Sequence, residues 1–261
     1  LGKILIVRDV RLRFFRVKPK EVVILDRLCL FFLWMARRLG GMSHGKAIAK
    51  NAAWLLVATT AQKIVAFFSF TLIARLVGVE ITGQYFYAVS VTSVFVILTD
   101  LGLTPVVIRE MAQDEERGRG AFVRALQAKI VLIPLAIAAS VGYAWIAHVT
   151  STVFLAILVA CFVMSADAVT LTWYGMMRGK HQLRFEALGL FLTQTLTAII
   201  SLAMAFTHRG VIGLVFGLAF GSLFNVGWSI SKARTLGIGW RAAHPWPWTK
   251  IMRAAMPFAL A

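Results

Sequence analysis

The chain has 261 residues, of which 59% are hydrophobic and only 15% charged, and its mean hydropathy is +0.79. Ordinary globular chains are about 45–50% apolar and about 25% charged, so a soluble domain of this size is excluded. The net charge of +17 would suggest nucleic acid in a soluble protein, but here the placement of the charges carries the meaning. The continuous apolar runs are long enough to span a ~30 Å hydrocarbon core and do not alternate, which points to helices rather than a β-barrel. The predicted fold class is an all-α polytopic membrane protein: a six-helix transmembrane lobe plus the start of a seventh helix.

Residues 1–44 form a basic N-terminal extension. Its first part alternates basic and apolar residues, as in R-D-V-R-L-R-F-F-R-V-K-P-K, and continues into an apolar run, Val22 to Ala36, that Asp26 and Arg27 interrupt. That run is short for a span. A basic amphipathic surface helix and a signal-like sequence are alternatives. The preferred expectation is that the extension is not native, because M-S-H-G-K at Met42 resembles a natural start.

The lobe occupies 45–249, with spans expected at 53–77, 85–108, 121–147 (Pro134 is expected to kink it), 153–175, 186–207 and 211–231. Residues 250–261 would begin a second lobe. Lys and Arg set the orientation. Twelve lie in 1–52, five between Arg109 and Lys129, three in R-G-K-H-Q-L-R and five after the sixth span. With six spans, 25 of the 28 cationic residues share one side, leaving Lys63, Arg75 and Arg209. The N-terminus is therefore expected in the cytoplasm, and the charges serve topology and attraction to anionic lipid.

Chemistry-bearing motifs are sparse. Cys29 and Cys161 are isolated, and the five histidines are scattered. No phosphate loop, zinc signature or nucleotide fingerprint occurs, so no catalytic residue, metal ligand or cofactor is assigned. The acidic run Asp114, Glu115, Glu116 is the one cluster that a membrane-embedded transferase acting on polyprenyl lipids would have available. A solvated loop is the preferred reading of it.

Ionisable residues within spans are costly and usually face a partner or a hydrated cavity. Lys63 lies roughly 15 Å deep and Asp100 and Asp167 roughly 12 Å deep, from a rise of ~1.5 Å per residue. Gln194 and Asn225 fall in the same layer. Antiparallel neighbours would bring Lys63 to Asp100. Two readings stay open: a structural ion pair, or a vestibule with a cation for an anionic substrate and Asp167 free to take a proton or sodium ion. The glycines of G-L-V-F-G-L-A-F-G (Gly213, Gly217, Gly221) let backbones approach, which reads as helix packing. Arg75, at the end of the first span, is expected to snorkel to water and to pair with Glu80 across a reversal at Gly78 and Gly83.

The stretch I-A-R-L-V-G-V-E-I-T-G-Q-Y-F-Y-A-V-S, followed by L-T-D-L-G-L-T-P-V-V-I-R, resembles the N-terminal hairpin of bacterial polysaccharide repeat-unit flippases. The matching positions are Arg75, Gly78, Gly83, Tyr85, Asp100, Gly102 and Arg109. W-Y-G-M-M-R-G-K-H-Q-L-R-F-E resembles the same family's connection between spans four and five. The resemblance covers roughly 45–261, within a superfamily that includes multidrug and peptidoglycan-precursor exporters. It implies two six-helix lobes and alternating access for a polyprenyl-pyrophosphate-linked oligosaccharide across the bacterial inner membrane. It also implies coupling to a proton or sodium gradient, and as partners the lipid-linked oligosaccharide, membrane lipids, a polysaccharide polymerase and other export components. One lobe and the start of another is a departure from that pattern, so a fragment or truncated product is expected.

Overall fold

The structure is a computed structural model that describes residues 44–207, 210–237 and 246–259, with side chains from Trp54 onward. The extension expected at 1–44 lies almost wholly outside the described residues. Residues 51–261 form one unit.

Among the described residues the chain is helical throughout. Helix α1 is His44–Phe95, followed by a 3-10 turn at Val96–Thr99. Then come α2 (Leu103–Gln113), α3 (Glu115–Ile146), α4 (Ser151–Gly179), α5 (Leu183–Phe206), α6 (Gly210–Thr235) and α7 (Trp248–Ala259). Five helical segments are long and apolar enough to cross a membrane; the first, Trp54–Thr99, has 46 residues. Without water in the hydrocarbon layer each backbone N–H and C=O must find a partner within the protein, and helices satisfy this within one segment.

The first segment is folded on itself. Gly78 departs from helical geometry with φ 83 and ψ 172. The rings of Phe70 and Phe86 lie 5.0 Å apart. A straight helix would separate residues sixteen positions apart by about 24 Å along its axis. Two arms of α1 therefore fold back on each other at Gly78, where the absence of a Cβ permits positive φ. This is the reversal the sequence predicts, with two corrections. Gly83 is an ordinary helical residue of the second arm, with nothing near its absent Cβ. Arg75 and Glu80 are both exposed, and no ion pair joins them among the described residues.

A second departure lies at residues 96–102. The sequence reading treats 85–108 as one continuous span, whereas α1 ends at Phe95 and α2 starts at Leu103. Leu101 (φ 41) and Gly102 (φ 79) turn the chain between them. Pro105 favours a break there. Its ring would clash with the carbonyl four residues back, at Leu101, and it has no N–H to donate there. In the first turn of a new helix the same proline is tolerated. At Pro134, by contrast, α3 is assigned as one helix through the proline.

Packing relies on small residues, as expected where lipid tails are as apolar as leucine. Gly118 of α3 and Gly179 of α4 both meet Met111, so α2 is held between those helices. Phe122 and Trp173 meet edge to face with centroids 4.6 Å apart in the same buried cluster. A second cluster, with Ala88, Val91, Ala144, Ile157 and Val215, joins α1, α3, α4 and α6. On α6, Gly217 sits against Ser201 and Gly221 against Thr197, both on α5. The glycine stripe is thus a packing surface, and the Ser201 hydroxyl adds a hydrogen bond of 3.2 Å to the Leu214 carbonyl.

Gly221→Leu should separate α5 from α6, because its side chain would occupy the place of the Thr197 hydroxyl. Gly83→Ala should be tolerated. Fluorescence-detected size exclusion of the two variants in mild detergent checks this: the first should lose most of its monodisperse peak, and the second should keep it.

Candidate functional site

The break between α1 and α2 places Asp100 at the start of a helix instead of inside one. The Asp100 carboxylate accepts from the Thr104 backbone N–H at 3.2 Å and from the Thr104 hydroxyl at 2.5 Å. It thereby satisfies one of the orphan donors of the first turn of α2 and lies at the positive end of that helix. Its Oδ1 also receives Lys129 Nζ from α3 at 2.8 Å. The same ammonium donates to the Ala168 carbonyl of α4 at 2.9 Å. One lysine thus ties three separate stretches of chain together near the middle of α3.

Lys129 is buried, with 2% of its side chain accessible against 20% for Asp100. An unpaired ammonium at such a position would cost several kcal/mol in lost hydration, which the carboxylate and the carbonyl offset. The sequence reading pairs Asp100 with Lys63, and the structure overturns that pairing. Asp100 is taken by Lys129, and Lys63 is exposed on the first arm of α1. Lys129 was missed because it was grouped with the basic segment that starts at Arg109. Its place well inside the span expected at 121–147 was the available signal.

Asp167 precedes Ala168 and so lies level with Lys129. Its side chain is accessible and lies beside Ser222 of α6. Asn225 is buried one turn further along α6 and accepts from the Tyr174 hydroxyl at 2.5 Å. Gln194 of α5 is half-buried; its neighbour Thr193 lies against Gly221, which puts Gln194 level with Ser222. The structure thus brings Asp100, Asp167, Gln194 and Asn225 into one zone of the bundle. Among the described residues no hydrogen bond or ion pair ties Lys63 to that zone.

The family-marker positions divide by role. Gly102 combines positive φ with a close approach: a Cβ there would meet the Ala255 carbonyl at 2.7 Å and Phe258 Cβ at 2.7 Å, both on α7. Arg109 is exposed and pairs with the buried Glu110 at 2.9 Å. Gly78 makes the reversal described above. The Tyr85 side chain packs against the second apolar cluster.

The acidic run is occupied structurally. Asp114 caps α3 by accepting from the Arg117 N–H at 2.8 Å. Glu115 accepts from Arg119 at 2.7 Å and from Lys180 at 2.8 Å. Arg119 in turn donates to the Gly237 carbonyl at 2.8 Å. Nearby, Arg178 at the end of α4 grips the buried Glu186 at the start of α5 through two hydrogen bonds, one of 2.8 Å. The α2–α3 and α4–α5 connections and the end of α6 therefore meet at one pole of the bundle, where the basic residues are concentrated. Aromatic rings border it: Lys232 lies 4.6 Å over Trp228, and Arg124 lies 4.6 Å over Trp248. Among the described residues no three His, Cys, Asp or Glu side chains gather as metal ligands would.

Long apolar helices packed through glycines, with a charge pair buried between them, define a multi-pass membrane protein. The chain belongs to the polysaccharide biosynthesis protein family, whose model matches residues 48–261. No curated protein and no solved structure matches it.

Lys129→Ala should lower stability by about 3–5 kcal/mol, because it strands the Asp100 carboxylate, whereas a change at an exposed side chain away from such features stays within about 0.5 kcal/mol. Thermal unfolding of the purified protein should therefore show a large loss for Lys129→Ala and no resolvable shift for Lys63→Ala.

Proposed function

We propose that the protein is a flippase that carries polyprenyl-pyrophosphate-linked oligosaccharide units across the bacterial inner membrane for polysaccharide biosynthesis, by alternating access. The observation that carries this reading is the family match over residues 48–261, a family whose members are generally exporters rather than enzymes. Two features of the bundle support it. Lys63 and Asp167 are ionisable, intramembrane by sequence position and exposed. In this reading they face the translocation path, Lys63 toward the pyrophosphate or sugar acids and Asp167 as a carrier of the coupling proton or sodium ion. Gln194 is proposed to contact substrate hydroxyls, while Asn225 supports the path through Tyr174.

The lobe is read as six crossings, with both arms of α1 counted separately and residues 250–261 opening a second lobe. Arg117, Lys180 and Arg234 then lie on the cytoplasmic side, as does the N-terminus. The transferase alternative draws little support, since Asp114 and Glu115 are engaged as a helix cap and in ion pairs.

Lys63→Met and Asp167→Asn should each abolish polysaccharide export in cells while the protein reaches the membrane at normal levels. Normal export by a correctly folded Lys63→Met variant would remove that lysine from the path. Glu116→Ala should leave export unchanged; its loss would favour the transferase. Topology is checked by cysteine labelling on a Cys29→Ser, Cys161→Ala background. Val79→Cys, 90% exposed beside the reversal, should react with an impermeant maleimide from outside, and Glu116→Cys should react only after permeabilisation. The opposite pattern would invert the orientation.

A further inference from the structure

We propose that Lys129 is a positioning residue for transport, holding a mid-membrane hinge at Leu101–Gly102 in one of its arrangements. The proposal rests on the flippase reading for its functional part and on geometry for the hinge itself. Leu101 adopts positive φ without being glycine, a conformation that persists only when its surroundings impose it. On one side the Asp100 carboxylate is fixed by Thr104 and Lys129. On the other, α7 presses on Gly102 through Ala255 and Phe258 with no room for a Cβ.

The helix is interrupted at Leu101–Gly102, and Pro105 has no N–H to offer the Leu101 carbonyl, so the regular hydrogen-bond ladder does not resist bending there. Beside the packing of Leu103, Val106, Val107 and Met111, resistance comes from the ammonium, which links the start of α2 to α3 through its own backbone position and to α4 through the Ala168 carbonyl. Because α2 is wedged between Gly118 and Gly179 by Met111, tilting it at Gly102 moves the basic pole of the bundle relative to the second arm of α1. Helix α7, seated on the same glycine, is the element that would transmit or drive that tilt. The charge pair and the seated helix thus hold the same turn from two directions; coupling through it requires a second arrangement of that turn, which the distances below test.

Spin labels at Ser93→Cys and Gln113→Cys flank the break at exposed positions. The full chain, on a background of Cys29→Ser and Cys161→Ala, is measured in membranes by pulsed electron resonance, with polysaccharide export followed in the same cells. Wild type should give one narrow distance. Lys129→Met should add a second population and lower export, because removing one partner of a buried charge pair leaves the other uncompensated. Lys129→Arg should restore both. A folded Lys129→Met protein with the wild-type distance alone would overturn the hinge. If Lys129→Met is not recovered, Asp100→Asn/Lys129→Met removes both charges together; it should show the second population, and an unchanged distance would again overturn the proposal. Full export with the hinge open would overturn the positioning role. No export dependence on the wild-type protein would overturn the flippase reading alone, leaving the distances to judge the hinge.

Discussion

A lysine buried at the middle of a membrane helix has to be neutralised where it stands. Lys129 meets that constraint with one carboxylate and one carbonyl, and the position of both follows from it. The carboxylate is at hand because the chain breaks at Leu101–Gly102 and presents Asp100 at the mouth of α2. The carbonyl is at hand because α4 runs alongside. A continuous helix through residue 100 would offer neither the Thr104 N–H to the carboxylate nor the same approach to Lys129. The break and the ion pair therefore depend on each other: Pro105 and Gly102 create the gap in the helix, and the charges keep it in one geometry.

Around that point the bundle divides into two regions with different chemistry. Toward the basic pole, helix ends are joined by ion pairs, Arg178 with Glu186 and Glu115 with Arg119 and Lys180. Toward the other end, apolar contacts among Ala88, Ala144, Val153 and Val211 suffice. Partly exposed ion pairs are individually weak. Their service here is to fix which connections meet, whereas close packing at Gly179, Gly217 and Gly221 supplies the cohesion. Asp167 differs from all these charges. It is exposed beside the Ser222 hydroxyl and has no ion-pair partner among the described residues, which is why it belongs to the path in the proposed mechanism and Asp100 belongs to the frame.

Much of this was legible in the residues. Hydropathy alone gave the class, because nothing but a membrane accommodates runs of this length. Gly78 announced a reversal between two apolar runs, and the glycines of α6 announced close packing. Other features were hidden for physical reasons. The partner of Asp100 depends on which helix faces which, and span order does not reveal that; adjacent antiparallel spans pointed to Lys63, yet Lys129 of the following helix is the residue that meets Asp100 in space. Gly83 looked like a turn residue because glycine is also tolerated within membrane helices. The break at 96–102 did have a signal in the pair Gly102 and Pro105, which the continuous apolar run outweighed. The roles of Asp114 and Glu115 depend on a cap and on Lys180, 65 positions away from Glu115, which no local pattern shows.

The central claim is that the protein moves a lipid-linked oligosaccharide between leaflets. Reconstitution into vesicles with a fluorescent polyprenyl-pyrophosphate oligosaccharide confined to one leaflet tests it directly, using an impermeant quencher to follow the label. The account predicts that the label crosses at a rate set by the amount of protein and accelerated by an ion gradient. A label that stays in its leaflet in the presence of well-folded protein, with or without a gradient, would contradict it.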